Sequence, residues 1–186
     1  SFEMVAQGPV GLWYSVSVAD MDGDGQKEYF FGNIGRNAKL HADSLQHPRI
    51  YGGDGDGNGS VDIVLAKENH GVELPIRGRS CSSQQIPQIV AKFPTFQAFA
   101  SADLPAIYGA SNLENAQVHI KVDRTDHVMA RWGESVEYIS LPAETQISPI
   151  QAVVFEDLDG DGKVEMIAAG NYYPFEVETP RQDAGR

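Results

Sequence analysis

Three times in this chain, acidic and amide residues crowd into nine positions and give way at once to an apolar run. The stretches are DMDGDGQKEYFF from Asp20, DGDGNGSVDIVL from Asp54 and DLDGDGKVEMIA from Asp157. All three fit one template, D-x-D-G-[D/N]-G-x-x-[D/E]. Oxygen donors at positions 1, 3 and 5 come from Asp20, Asp22 and Asp24, from Asp54, Asp56 and Asn58, and from Asp157, Asp159 and Asp161. Position 9 supplies Glu28, Asp62 and Glu165 to close each set. Position 7 (Gln26, Ser60, Lys163) would offer a backbone carbonyl, so a lysine side chain is acceptable there. Hard oxygen ligands at this spacing suit Ca²⁺, which takes about 6–8 oxygens, better than Mg²⁺, which keeps most of its waters. The glycines at positions 4 and 6 allow the backbone to fold tightly around an ion.

Electrostatics favour a bound cation. Two carboxylates about 4 Å apart repel by ~4 kcal/mol at an effective dielectric of 20, so four in nine residues call for a counter-ion or heavy solvation. The formal charge of the chain is −12, and the loops hold most of it. Up to three Ca²⁺ would bind, each adding two charges. An EF-hand is excluded by spacing: its bidentate acid at loop position 12 would fall here on Phe31, Leu65 and Ala168. The acid comes at position 9 instead, and a strand begins immediately.

Short segments rich in Val, Ile, Tyr and Phe flank each loop, the pattern of strand, turn, strand. The loops therefore mark an internal repeat, with units near 11–37, 48–78 and 116–171. Further strands are predicted at 71–77, 116–122, 126–132 and 136–141, about ten in all. From Ser83 to Ala102 the apolar residues Ile86, Ile89, Val90, Phe93, Phe96 and Phe99 recur at three- and four-residue steps, which is helical spacing. Pro87 fits a first turn and Pro94 divides the segment into two short helices that pack on the sheets. This helical insertion, about 83–109, lies between the second and third loops. A polar, loose tail is expected from Glu176. The whole of 1–186 reads as one mainly β region, since the length suits one core better than two.

Apolar residues make up 41% of the chain, enough for a folded protein rather than an acidic disordered one. The negative charge argues against nucleic acid and anionic membranes as partners. A single cysteine, Cys81, excludes an internal disulfide and any CxxC motif. No apolar run approaches membrane-spanning length.

The loops with their flanks resemble the FG-GAP/VCBS repeats of integrin-α-type β-propellers. The likeness is stronger to bacterial propeller proteins associated with ASPIC/UnbV domains. The residues that carry it run from Gly11-Leu-Trp-Tyr-Ser to Gly32-Asn-Ile-Gly-Arg-Asn37, from Tyr51 to Asp62, from Pro87 to Ala100 and from Leu141 to Ile150. The resemblance implies Ca²⁺-stabilised propeller blades in a secreted, periplasmic or surface-attached bacterial protein. About three blades are too few to close a propeller of 4–8. An incomplete propeller with exposed blade edges, open to self-association, is therefore expected.

Two functions follow. The first is a calcium-dependent module for adhesion, presenting loops to a protein or glycan. The second is a Ca²⁺-dependent hydrolase or other enzyme. His41, His47, His70, His119 and His127 show no paired spacing, and each reads as a surface or loop residue rather than a catalyst. No GxSxG, P-loop or dinucleotide fingerprint is present, so no catalytic residue is assigned. Asn58-Gly-Ser60 matches a glycosylation sequon, but Asn58 is a proposed ligand and the match reads as accidental.

Overall fold

A computed structural model describes residues 3–4, 6–43, 46–173 and 181–184. The described residues form a mainly β structure with a run of short helices. The strands are β1 (Ser15–Ala19), β2 (Glu28–Gly32), β3 (Arg49–Gly53), β4 (Asp62–Asn69), β5 (Val72–Pro75), β6 (Val118–Lys121), β7 (Val128–Trp132), β8 (Val136–Ser140), β9 (Ala152–Glu156) and β10 (Glu165–Ala169). All pairings between them are antiparallel, in sheets of order β1-β2-β7-β8, β5-β4-β3-β6 and β10-β9. Among the described residues no sheet closes into a barrel, and no helix is long and apolar enough to cross a membrane.

Each acidic loop closes a hairpin of the same register. Ala19 faces Glu28, Gly53 faces Asp62 and Glu156 faces Glu165, so position 9 of every loop is the first residue of the returning strand. Because the template is fixed in length, the register is fixed with it. Sheet membership beyond the hairpins crosses the repeat boundaries read from sequence. The strands between 116 and 141 join the first two sheets: β6 pairs with β3, while β7 and β8 extend from β2. The third hairpin is left as a two-stranded sheet.

The chain divides into two compact units, Ser1–Ala42 with Arg124–Arg186, and Asp43–Asp123. The first holds loops one and three and a core of Phe30, Ile34, Val128, Ala130 and Ile150. Phe30 packs its ring against Phe155 at 4.7 Å between centroids. Gly32 is required there: a Cβ would stand 2.1 Å from the Ile150 carbonyl oxygen. Gly170 stands in the same relation to the Pro149 carbonyl, which accounts for the glycine of the Gly-Asn pair at the end of β2 and just after β10.

The second unit holds loop two and α1 (Arg79–Gln85), α2 (Gln88–Lys92), α3 (Phe96–Ala100), α4 (Leu104–Tyr108) and α5 (Ala110–Glu114). Five helices thus replace the expected two, beginning four residues before Ser83. Pro87 falls at the N-cap of α2 rather than within a first turn. Thr95 and Asp103 cap α3 and α4 by accepting from the Ala98 and Ala106 amides. Of the six periodic apolar residues, Ile86, Ile89 and Phe99 join Tyr51, Val64 and Ala66 of the sheet in one core. Val90 and Phe96 are exposed, because helices of five residues turn only part of a stripe inward. The tail read as loose lies largely outside the described residues; within its described part Gln182 is buried and bridges to Tyr172.

Candidate metal centres

One hydrogen-bond scheme is drawn in all three loops. The carboxylate at position 1 accepts from the glycine amides at positions 4 and 6, one on each oxygen, at 2.8–3.0 Å. These glycines have φ between +74° and +87°, a region that costs any other residue strain. Position 3 accepts from the amide of position 5 at 3.1–3.3 Å. Position 5 accepts from the amide of position 7 at 2.7–2.8 Å. The acid at position 9 reaches back across the loop to the amide of position 2 at 2.8–2.9 Å. Backbone amides thus orient the carboxylates within the loop; in the second loop Asp54 Oδ1 also accepts from the Asn58 amide at 3.0 Å.

The result is three clusters in which one oxygen from each residue lies within 4.8 Å of the others. They comprise Asp20, Asp22 and Glu28; Asp54, Asp56 and Asp62; and Asp157, Asp159 and Glu165. Each could hold a metal ion. Asp24 and Asp161 do not join their triples, and Asn58 holds the equivalent place; one oxygen of each is occupied by the position 7 amide. Gln26, Ser60 and Lys163 contribute those amides. The Lys163 ammonium lies 3.4 Å from Asp161 Oδ2, on the outer side of the exposed loop.

The environment grades the ligands within a loop. In the second loop the Gly59 amide leads in holding the Asp54 carboxyl below its usual range; burial opposes it, and the Gly57 and Asn58 amides add to the lowering. Burial pushes Asp62 up, and the neighbouring Asp56 and Asp54 add to it. Glu28 and Asp62 are 3% and 6% exposed, so the first two loops bury their last ligand in the sheet, whereas Glu165 of the third is only half-buried. The first loop has one feature the others lack: the Arg131 guanidinium, across the register from Glu28, lies 3.2 Å from Asp22 and 3.6 Å from Glu28.

The structure corrects the reading of His127 as a surface or loop residue: it is fully buried. Its Nδ1 accepts from the Asn33 amide at 2.8 Å, and its Nε2 lies 2.9 Å from the Ser148 carbonyl, to which it must donate. Burial lowers its pKa, in keeping with an Nδ1 that accepts a hydrogen bond, as only the neutral imidazole can. With both nitrogens bonded, it ties the segments that follow β2 and precede β7 and β9, and has no nitrogen left for catalysis. Nothing local in the sequence signals this, since its partners lie 94 and 21 residues away. Of the others, His47 bonds the Val122 carbonyl, His119 stacks on Tyr51, His70 sits at a turn and His41 is half-buried.

Beside His127, Asp126 is 7% exposed and accepts from Arg124 and Ser140, with Arg36 3.4 Å away. Burial alone would raise this carboxyl, but those bonds and the two guanidinium charges reverse the effect and hold it at about 2. The folded-state pKa is depressed, so the stabilisation is complete above the unfolded value near 4 and is lost as pH falls toward 2. Urea titrations should show Asp126→Asn less stable than the parent by about 2 kcal/mol at pH 7. The gap should close between about pH 4 and 2; a constant gap would refute the assignment.

Comparison of the chain with protein-family models, with curated proteins and with solved structures finds no match.

Proposed function

We propose that the chain is a calcium-binding module built from β-propeller-type blades, with one structural Ca²⁺ in each acidic loop. The observation that carries the proposal is the repetition of one amide–carboxylate scheme in three loops of identical register. An exposed polar turn needs no such convergence, whereas a hard cation of six to eight oxygens does. The ion would tie position 9, at the head of the returning strand, to positions 1 and 3 at the end of the preceding one. It would thus fasten the hairpin, leaving little open coordination for chemistry. Such modules suit an extracellular, periplasmic or cell-surface setting, where Ca²⁺ is plentiful, and serve to present loops to a protein or glycan. Screening against glycan and protein arrays with Ca²⁺ and with EGTA tests this role. Binding that needs Ca²⁺ supports it, while turnover of generic ester, phosphate or glycoside substrates would point to an enzyme instead.

The first loop should respond to its arginine. Arg131 already neutralises part of the cluster, so an incoming ion must displace it from Asp22 and Glu28. In a protein carrying Asp56→Ala and Asp159→Ala, only this loop keeps its triple. There Arg131→Gln should raise Ca²⁺ affinity about tenfold, ~1.4 kcal/mol. Unchanged or weaker affinity in calorimetry would show that the guanidinium does not compete.

A further inference from the structure

The second acidic loop differs from the other two at position 2. That position is Met21 in the first loop and Leu158, 59% exposed, in the third, but Gly55 in the second. The helical run explains the glycine: a Cβ on it would stand 2.9 Å from Ile86 Cδ1, at the end of α1. Both backbone groups of Gly55 are also held. Its amide donates to Asp62 Oδ2 at 2.9 Å, and its carbonyl accepts from Asn112 Nδ2 of α5 at 3.0 Å. The same Nδ2 donates to the Tyr108 carbonyl at 3.0 Å, which anchors it to the end of α4.

A second helical side chain reaches the far side of the loop. Ile63 follows the last ligand, Asp62, and β5, whose pairing with β4 starts at Ala66, does not extend to it. Gln85 of α1 takes that place. Its Oε1 accepts from the Ile63 amide at 2.9 Å, and its Nε2 donates to the Ile63 carbonyl at 3.3 Å. Arg77 Nη1 lies 3.5 Å from the same carbonyl. One side-chain amide thus offers the acceptor and the donor that a neighbouring strand would offer. At the matching place in the first hairpin a strand does so, with Ala130 of β7 in register with Tyr29.

We infer that Gln85 and Asn112 are positioning residues for the second loop, with the helical run as its clamp. The inference rests on the reading of the loops as Ca²⁺ sites. Gly55 lies between Asp54 and Asp56, and Ile63 follows Asp62, so the two side chains fix the backbone beside the whole carboxylate triple. A loop pinned on both sides has less freedom to lose when an ion orders it, and that difference appears as affinity. By reciprocity the ion strengthens both contacts and steadies the helices that make them.

Calorimetry on single-site proteins tests it. With Asp22→Ala and Asp159→Ala only the second loop keeps its triple, and there Gln85→Met and Asn112→Leu should each weaken Ca²⁺ binding about tenfold. With Asp22→Ala and Asp56→Ala only the third loop does. The same two substitutions should leave its affinity unchanged, which a general loss of stability would not do. In EGTA, hydrogen exchange at the Ile63 amide should be slow in the parent and faster in Gln85→Met. Affinity at the second loop that neither substitution lowers overturns the clamp and leaves the calcium reading standing. So does an equal loss at the third loop, or an Ile63 amide indifferent to Gln85→Met. No Ca²⁺ binding in any of these proteins overturns both.

Discussion

Chelation with EGTA should lower the melting temperature of this protein, and millimolar Ca²⁺ should restore it. The nine carboxylates of the three clusters are held with oxygens within 4.8 Å of one another, an arrangement that repels itself and gains from a divalent ion. At a free concentration 100 times the dissociation constant, one site stabilises the folded chain by ~2.7 kcal/mol. For chains of this length a change of 1 kcal/mol moves the melting temperature by about 2–4 °C, so each occupied site should contribute roughly 5–10 °C. Asp22→Ala and Asp159→Ala should each remove one increment from the first unit, and Asp56→Ala one from the second. Mg²⁺ at equal concentration should restore much less, since it favours octahedral sites rich in water. Superimposable melting curves with EGTA and with Ca²⁺ would contradict the reading of the loops.

The other large effect is expected far from the loops' charge. Asn33 is fully buried and ties three segments together. Its Oδ1 accepts from the Leu12 and Ile34 amides at 3.1 and 2.8 Å, and its Nδ2 donates to the Arg124 carbonyl at 3.2 Å. Asn33→Ala would leave all three groups without that partner in a site water cannot readily enter. Each such group costs about 1–3 kcal/mol, so a loss of roughly 3 kcal/mol or more is expected in urea unfolding. The His127 ring accepts from the backbone amide of residue 33, a bond that Asn33→Ala keeps, and carries a pH dependence of its own. Its lowered pKa means that its contribution is whole above about pH 6.5 and fades as the ring is forced to protonate in acid. A loss below 1 kcal/mol for Asn33→Ala would mean that the site relaxes or hydrates, and the network would then not be a structural knot.

The loops and their hairpins were legible because everything that specifies them is local. The ligand spacing, the glycines at positive φ and the β-rich flanks all lie within about twenty residues, and the register follows from the template. The partners of those hairpins were not legible. β7 joins β2 across about a hundred residues, and nothing in Val128–Trp132 distinguishes a strand of the first sheet from one of the third. The helices were seen where apolar residues repeat and missed at Arg79–Gln85, where the helix is polar and only Ser82 is buried. His127 illustrates the same limit at one residue: a histidine between Asp126 and Val128 looks exposed until the Asn33 amide and the Ser148 carbonyl are in place. The Gly-Asn pairs were visible as motifs, but the cause of their glycines is the approach of the Ile150 and Pro149 carbonyls to Gly32 and Gly170.

The central claim is that the three loops are calcium sites, and a calorimetric titration of the chelator-stripped protein with Ca²⁺ tests it most directly. Three ions per chain are expected, falling to two in Asp22→Ala, Asp56→Ala or Asp159→Ala. No saturable heat, or a stoichiometry that these substitutions leave unchanged, would contradict it.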